Sequence, residues 1–248
     1  MQELSRYSVE TSVRRALSAV IADACTLVGW QWLDQNDPMK AWDYYSQGMT
    51  AAAETSQPAL RSYVLAGQSV VLLDLSEATA ALQMAEHACH SPSGYLPPIL
   101  AAWLSASYGE SCAANNLHAE SLRSFDRAEQ LLSSGSAEEV PFLVFGQTHL
   151  MRWRGNALMR LRDRRAVDVL TQALSEVPSG FTRAETAVLV DLAAALGIAG
   201  ERDAAEFHAA LADSLARQIG STRHRRRIDR LRRAAFSPSA VGAPEGHR

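Results

Sequence analysis

The sequence predicts an all-α protein, built as a right-handed superhelical solenoid of about five helix pairs that ends in a C-terminal capping helix. Alanine and leucine dominate the 248 residues, whereas the β-branched and aromatic runs that mark strands are scarce. Apolar residues recur three and four positions apart, which is the helical period. A small residue also recurs at one position in successive helical segments, and small residues let two helices approach closely.

The pattern is clearest in residues 149–174, HLMRWRGNALMRLRDRRAVDVLTQAL. Its first helix contains Gly155, and its second helix carries the apolar anchors Ala166, Leu170 and Ala173. Glycine inside a helix costs about 1 kcal/mol relative to alanine. We therefore interpret Gly155 as the point where the two helices of this pair pack closely.

Four other segments repeat this arrangement. The corresponding small residues of their first helices are Gly29, Gly67, Gly109 and Ala193. The first anchors of the five second helices are Ala41, Ala78, Ser121, Ala166 and Ala205, which lie 37 to 45 residues apart. Asn36-Asp37-Pro38 predicts a helix start inside the first pair, and the polar stretch 133–141 predicts a hinge between the third and fourth pairs.

This pattern resembles the tetratricopeptide repeat, whose signature is W-x-x-L-G-x-x-Y followed by A-x-x-x-F and then A and P. The resemblance covers residues 12–222, which we expect to form the repeat domain after an N-terminal extension of residues 1–11. The motif is degenerate, and a non-repeating helical bundle is the alternative. The resemblance implies that the first helices line the concave side of a curved stack.

Three segments resemble a narrower family. They are WRGNALMRLRDRRAVDVLTQAL, FTRAETAVLVDLAAALGIAGERDAA and GSTRHRRRIDRLRR. These segments are similar to the tetratricopeptide sensor half of Xre-type helix-turn-helix transcriptional regulators from high-G+C bacteria. We expect no helix-turn-helix here, because too few residues precede residue 12. The resemblance implies a peptide or small-molecule effector, a protein partner such as a DNA-binding regulator, or both. It does not imply direct DNA binding, and it leaves a homodimer open.

Eight side chains are predicted to face the concave groove and bind the ligand. They are Trp30, Arg61, Gln68, Trp103, Glu110, His149, Arg152 and Asn156. Amides pair with an extended peptide backbone, guanidinium groups with carboxylates, and indoles with apolar side chains. The alternative is that the tryptophans belong to the core and the polar residues to a solvated face.

Residues 223–233, RHRRRIDRLRR, contain seven arginines and the apolar pair Ile228 and Leu231. We interpret residues 223–236 as a basic capping helix and residues 237–248 as a disordered tail. Five arginines are candidate contacts for nucleic acid or an acidic partner: Arg223, Arg225, Arg226, Arg227 and Arg230. Residues 1–222 carry a net charge of −9, and residues 223–248 carry one of +6. The negative charge of the longer part argues against a general nucleic-acid protein.

The sequence does not indicate an enzyme, a cofactor or a metal site. It lacks G-x-S-x-G, H-E-x-x-H and a phosphate-binding glycine loop. Glu86 and His90 share a helix face, but zinc needs two further ligands. The absence of a signal-peptide pattern, and of a run of about 20 uncharged apolar residues, predicts a cytoplasmic protein without a membrane span. The alternatives to a sensor are a scaffold without a small effector and a nucleic-acid binder.

Overall fold

The computed structural model describes residues 10–90, 95–134, 140 and 143–236. Over these residues the chain forms eleven α-helices and no strand. The helices are α1 (Thr11–Asp34), α2 (Pro38–Ala53), α3 (Pro58–Asp74), α4 (Ala78–His90), α5 (Pro98–Ala114), α6 (His118–Ser134), α7 (Gln147–Arg160), α8 (Arg165–Ser175), α9 (Thr182–Ala199), α10 (Arg202–Gln218) and α11 (Thr222–Phe236). The predicted tail, most of the predicted N-terminal extension and most of the predicted hinge lie outside the described residues.

Consecutive helices form five pairs, from α1–α2 to α9–α10, and α11 follows the last pair. Each first helix packs against its own second helix and also against the first helix of the next pair. Four apolar clusters follow one another along the chain and form the core. The fold is therefore an all-α solenoid whose first helices form one layer and whose second helices form the other, as the sequence predicts.

The turn inside every pair has the same backbone geometry. One residue in each turn has a positive φ, between 56° and 89°: Asn36, Ser76, Asn116, Arg162 and Gly200. The next amide N–H then donates to the carbonyl oxygen five residues earlier, as Asp37 does to Trp32 at 2.9 Å. This hydrogen bond closes the C-terminus of the first helix. The repeated turn shows that the five pairs are copies of one structural unit.

Glycines mark the points where the helices approach most closely. A Cβ atom at Gly29 would lie 2.9 Å from the ring of Tyr45, and one at Gly67 would overlap the same ring. Tyr45 in α2 thus fills the space left by two glycines, one in its own pair and one in the next. The sequence pattern predicts the first contact. The same pattern predicts that Gly67 packs within its own pair, whereas the structure places that glycine against Tyr45 of the preceding pair.

By length and composition alone the first helix, α1, could cross a membrane. Asp23 interrupts its apolar stretch, so α1 is not a run of about 20 uncharged apolar residues. In the structure α1 packs against α2 and α3, and Cys25, Gly29 and Leu33 are buried in that packing. A packed core helix passes the same hydropathy test.

Replacing Gly155 with alanine should destabilise the protein. The added Cβ atom would lie 2.5 Å from Cγ of Leu170, which is fully buried and cannot move away without disturbing α8. Overpacking of this kind costs about 1–3 kcal/mol. The control is Gly197→Ala, because a Cβ at this helical glycine meets nothing within 4 Å, and alanine there should be neutral or stabilising by up to about 1 kcal/mol. Urea unfolding measures both, and equal effects would contradict the packing role.

Candidate functional site

A buried carboxylate organises the inner layer of helices near the C-terminal end of the solenoid. Asp191 of α9 is fully buried. It accepts hydrogen bonds of 2.9 Å from Nη1 of Arg152 and from Nδ2 of Asn156, both in α7. Nη2 of Arg227 in α11 donates at 2.5 Å to Oδ1, the oxygen that also accepts from Asn156, whereas Arg152 bonds to Oδ2. Burial raises the pKa of Asp191, but the guanidinium groups of Arg227 and Arg152 outweigh burial and lower it to about 2. The group is therefore ionised at neutral pH.

Charge-assisted hydrogen bonds also join the two ends of the solenoid. Asp34, at the end of α1, accepts from Arg183 of α9 and, at 2.8 Å, from the hydroxyl of Ser221. Asp74, at the end of α3, accepts from Nη2 of Arg223 in α11 at 2.7 Å. Helices α1 and α11 are also in direct contact. The superhelix therefore closes on itself, and the N-terminal part of α11 is held by carboxylates from α1, α3 and α9.

Glu110 lies among the charged groups of this inner layer. Burial raises its pKa, and the positive charges of Arg152 and Arg160 oppose that shift. Arg160 itself donates from Nε to Oδ1 of Asn156 at 3.0 Å, rather than to a carboxylate. Asp191 and Glu110 therefore share this part of the inner layer with Arg152, Arg160 and Arg227.

A cavity of about 130 Å³ opens beside this cluster, and we call it the α7–α9 cleft. Its lining residues are Gly146, Gln147, Thr148, His149, Arg152, Pro178, Phe181, Ala184 and Val188. The lining combines apolar side chains with the guanidinium of Arg152, the imidazole of His149 and the polar side chains of Gln147 and Thr148. Burial, reinforced by the charge of Arg152, lowers the pKa of His149. His149 is therefore neutral at pH 7.

One exposed aromatic side chain lines the cleft, and another lies against Arg183 of α9. Phe181, which lines the cleft, is 54% exposed, and Trp30 of α1 is 43% exposed. The guanidinium carbon of Arg183 lies 5.4 Å from the centre of the Trp30 ring. We call Trp30, Phe181 and Arg183 the aromatic patch. It joins α1 to α9, so it exists only because the ends of the solenoid meet.

The structure brings together only some of the eight residues predicted for the groove. Four of them lie around the Asp191 cluster and the cleft: Glu110, His149, Arg152 and Asn156. A fifth, Trp30, belongs to the aromatic patch. The remaining three lie on α3 and α5: Arg61 is exposed, Gln68 is buried with Nε2 3.3 Å from the hydroxyl of Ser46, and Trp103 packs between Tyr63 and Trp153. Trp103 thus takes part in packing between repeats, which was the alternative for the tryptophans.

Sequence reasoning missed the acidic partners of the inner layer. Asp191 is the one charged residue in the stretch AVLVDLAAAL, and a charge in such a run signals a buried ion pair. Asp34 and Asp74 follow apolar helices and precede turns, so they resemble ordinary turn residues. No local pattern distinguishes them, because their partners are 149 and 187 residues away.

The arginines of α11 fall into two groups. Arg223 and Arg227 point inward to Asp74 and Asp191, whereas Arg225, Arg226 and Arg230 are exposed. Ile228 is fully buried against α9 and α10. Two of the five arginines predicted to contact nucleic acid or an acidic partner therefore form internal ion pairs. Contact with such a partner through the three exposed arginines stays a prediction.

Metal-binding clusters of three or more His, Cys, Asp or Glu residues are absent from the described part of the chain. The three cysteines are not joined by disulfides.

Comparison with known proteins is limited to the fold. No protein-family model matches the chain, and no curated protein matches its sequence. Similar solved structures include two crystal structures of nearly identical TPR-like repeats from Podosopora anserina, described as a kinesin light chain. They share 13% sequence identity with the chain, cover 79% of it and 95% of their own length, and give TM-scores of 0.49 and 0.48. Similarity at this level carries no conclusion about function.

Replacing Asp191 with asparagine should destabilise the fold by about 3 kcal/mol, because two guanidinium groups would lose their buried carboxylate. Asp126→Asn is the matched control: Asp126 pairs with Arg154 at 2.8 Å, but its side chain is 61% exposed, so its loss should cost less than about 1 kcal/mol. Urea unfolding at pH 7 measures both changes. A small effect at Asp191 would show that the cluster does not hold the ends together.

The stability of the protein should fall as the pH drops from about 6.5. His224 in α11 is buried, and its pKa is lowered to about 3 by burial and by the charges of Arg227 and Arg223, against the smaller opposing effect of Asp191. An unfolded histidine takes up a proton near pH 6.5, whereas the folded one does so only near pH 3. The free energy of unfolding therefore decreases through this interval, by up to about 1.4 kcal/mol per pH unit.

Urea unfolding of the wild type and of His224→Asn at pH 7, 6 and 5 isolates this contribution. The lowered pKa values of His149 and His208 affect both proteins equally, and Asp191 protonates only at lower pH. The variant should show the weaker pH dependence, whereas parallel curves would assign the effect to other groups.

Proposed function

We propose that the chain is a non-enzymatic binding module that holds a peptide or small effector at the α7–α9 cleft and the aromatic patch. The observation that carries this proposal is the position of the cleft. The exposed ring of Phe181 lines an apolar cavity that has a guanidinium at one side. Arg183, two residues further along, lies against the exposed ring of Trp30. Small-molecule and peptide sites combine apolar walls with a few polar groups in this way.

The residue types of the patch favour a partner. Tryptophan, tyrosine and arginine dominate the residues that contribute most to protein interfaces. Two large apolar side chains, Trp30 and Phe181, keep about half of their surface in water, and burying apolar surface gains roughly 25 cal/mol per Å². A ligand that covers both rings and enters the cleft would gain this free energy without unfolding any helix.

We further propose that the module works in the bacterial cytoplasm, in transcriptional regulation, with a protein partner such as a DNA-binding regulator. The support is the resemblance of its three C-terminal segments to the sensor half of Xre-type regulators. The structure suggests how binding would reach such a partner: Arg152 lines the cleft and also bonds to Asp191, which holds α11. A ligand that hydrogen-bonds to Arg152 would therefore alter the bond between Arg152 and Asp191, and through Asp191 it would alter the position of α11.

A scaffold without a small effector is the second candidate. Its support is the outer face of α10, where Phe207 is 62% exposed and Leu211, one turn later, is 43% exposed. A protein partner could cover these side chains without contacting the inner layer.

Selection from a random peptide library distinguishes the two candidates. We expect peptides enriched on the wild-type protein to lose binding to Phe181→Ser, because that change removes an exposed wall of the cleft. They should keep binding to Phe207→Ser, which removes an equally exposed phenylalanine from α10. The reverse pattern would favour the scaffold, and no enrichment on a folded protein would contradict a peptide-binding function. Urea unfolding of both variants confirms that the fold is intact.

A further inference from the structure

We infer that the α7–α9 cleft binds a carboxylate attached to one branched or ring-shaped apolar group. Such a group occurs at the C-terminus of a peptide that ends in an apolar residue, and also in a free short carboxylic acid. This inference rests on the proposed function and specifies the ligand class for the same site.

The size of the cleft sets the size of the apolar group. A dry cavity of about 150 Å³ in another protein binds benzene, so the cleft, at about 130 Å³, has room for one side chain the size of leucine. Pro178, Phe181, Ala184 and Val188 supply the apolar wall. A long acyl chain or an indole would not fit without displacing these residues.

Arg152 supplies the donors for a carboxylate. Its Nη1 bonds to Asp191, and the side chain retains 21% exposure. Asp191 is the one side-chain acceptor that Arg152 contacts in the described part of the chain, so its remaining N–H groups can bond to a second acceptor. A guanidinium has five N–H donors and binds carboxylates in a bidentate manner. Arg152 can therefore bond to Asp191 and a ligand at once.

The charge around the cleft favours an anion. Arg152 and Arg227 share the single carboxylate of Asp191, and Arg160 bonds to an amide oxygen. Glu110 is the opposing charge, but burial raises its pKa. The other polar side chains of the lining are Gln147, Thr148 and neutral His149, and each can donate a hydrogen bond without adding charge. A ligand carboxylate at Arg152 would give this guanidinium a second anionic partner in addition to the shared Asp191.

The first test compares acids with their amides by isothermal titration calorimetry. The probes are N-acetyl-leucine, N-acetyl-leucinamide, and the peptide Ala-Ala-Ala-Leu with a free or an amidated C-terminus. Each acid should bind at least tenfold more tightly than its amide. Tighter binding of the peptide acid would identify a peptide C-terminus as the source, and tighter binding of N-acetyl-leucine would identify a free acid.

Two pairs of variants separate the cleft from the stability of the fold. Ala184→Leu fills the cavity and should abolish binding of every probe, whereas Ala210→Leu, at an exposed position of α10, should not. Arg152→Gln should reduce the acid-to-amide ratio to about one. Arg227→Gln also removes a guanidinium from Asp191, but Arg227 does not line the cleft, so it should keep the ratio.

The inference is overturned if acids and amides bind equally, or if Arg152→Gln leaves their ratio unchanged. It is also overturned if no probe binds while library peptides still bind in a manner that depends on Phe181. In that case the proposed peptide-binding function stands and only the ligand class is wrong. If neither library peptides nor probes bind to the folded protein, the proposed function fails as well.

Discussion

Close approach of paired helices at glycine is the constraint on which this structure depends. Where Gly29, Gly109 and Gly155 leave space, the rings of Tyr45 and Phe125 and the side chain of Leu170 fill it. A solenoid repeat cannot bury its apolar surface alone, so each pair needs its neighbours. Tyr45 shows how this works, because it occupies the space at Gly29 and the space at Gly67 in the next pair. The contact that closes one repeat therefore also sets the position of the following one.

This regular stacking brings distant charges together. Five copies of one turn, and close helix packing in successive pairs, curve the chain until α9 and α11 reach the ends of α1 and α3. At that junction, ionised carboxylates are removed from water, and guanidinium groups from α7, α9 and α11 compensate for the lost solvation. Because Asp191 binds Arg152 and Arg227 at the same time, the wall of the cleft and the C-terminal helix share one carboxylate.

The same junction creates the candidate site. The cleft lies between α7 and α9, and the aromatic patch adds Trp30 from α1. A ligand here would contact both ends of the superhelix, which are far apart in the sequence and are joined mainly by polar contacts. One of these contacts is made by Arg152, which lines the cleft and bonds to the carboxylate that holds α11. A binding site at this junction is therefore well placed to alter the position of α11.

The sequence by itself determined the helices, their pairing and the role of Gly155, because helical periodicity, glycine positions and caps such as Asp37 act over a few residues. It also indicated His149, Arg152, Asn156 and Glu110 as inward-facing residues, since their spacing from the small residue defines a helix face. Only the tertiary structure decided that Asp34 would meet Arg183 and Ser221, and that Gly67 would pack against the preceding pair. These contacts depend on the curvature that accumulates over five repeats. The small angle between each pair and the next cannot be read from any local stretch of sequence.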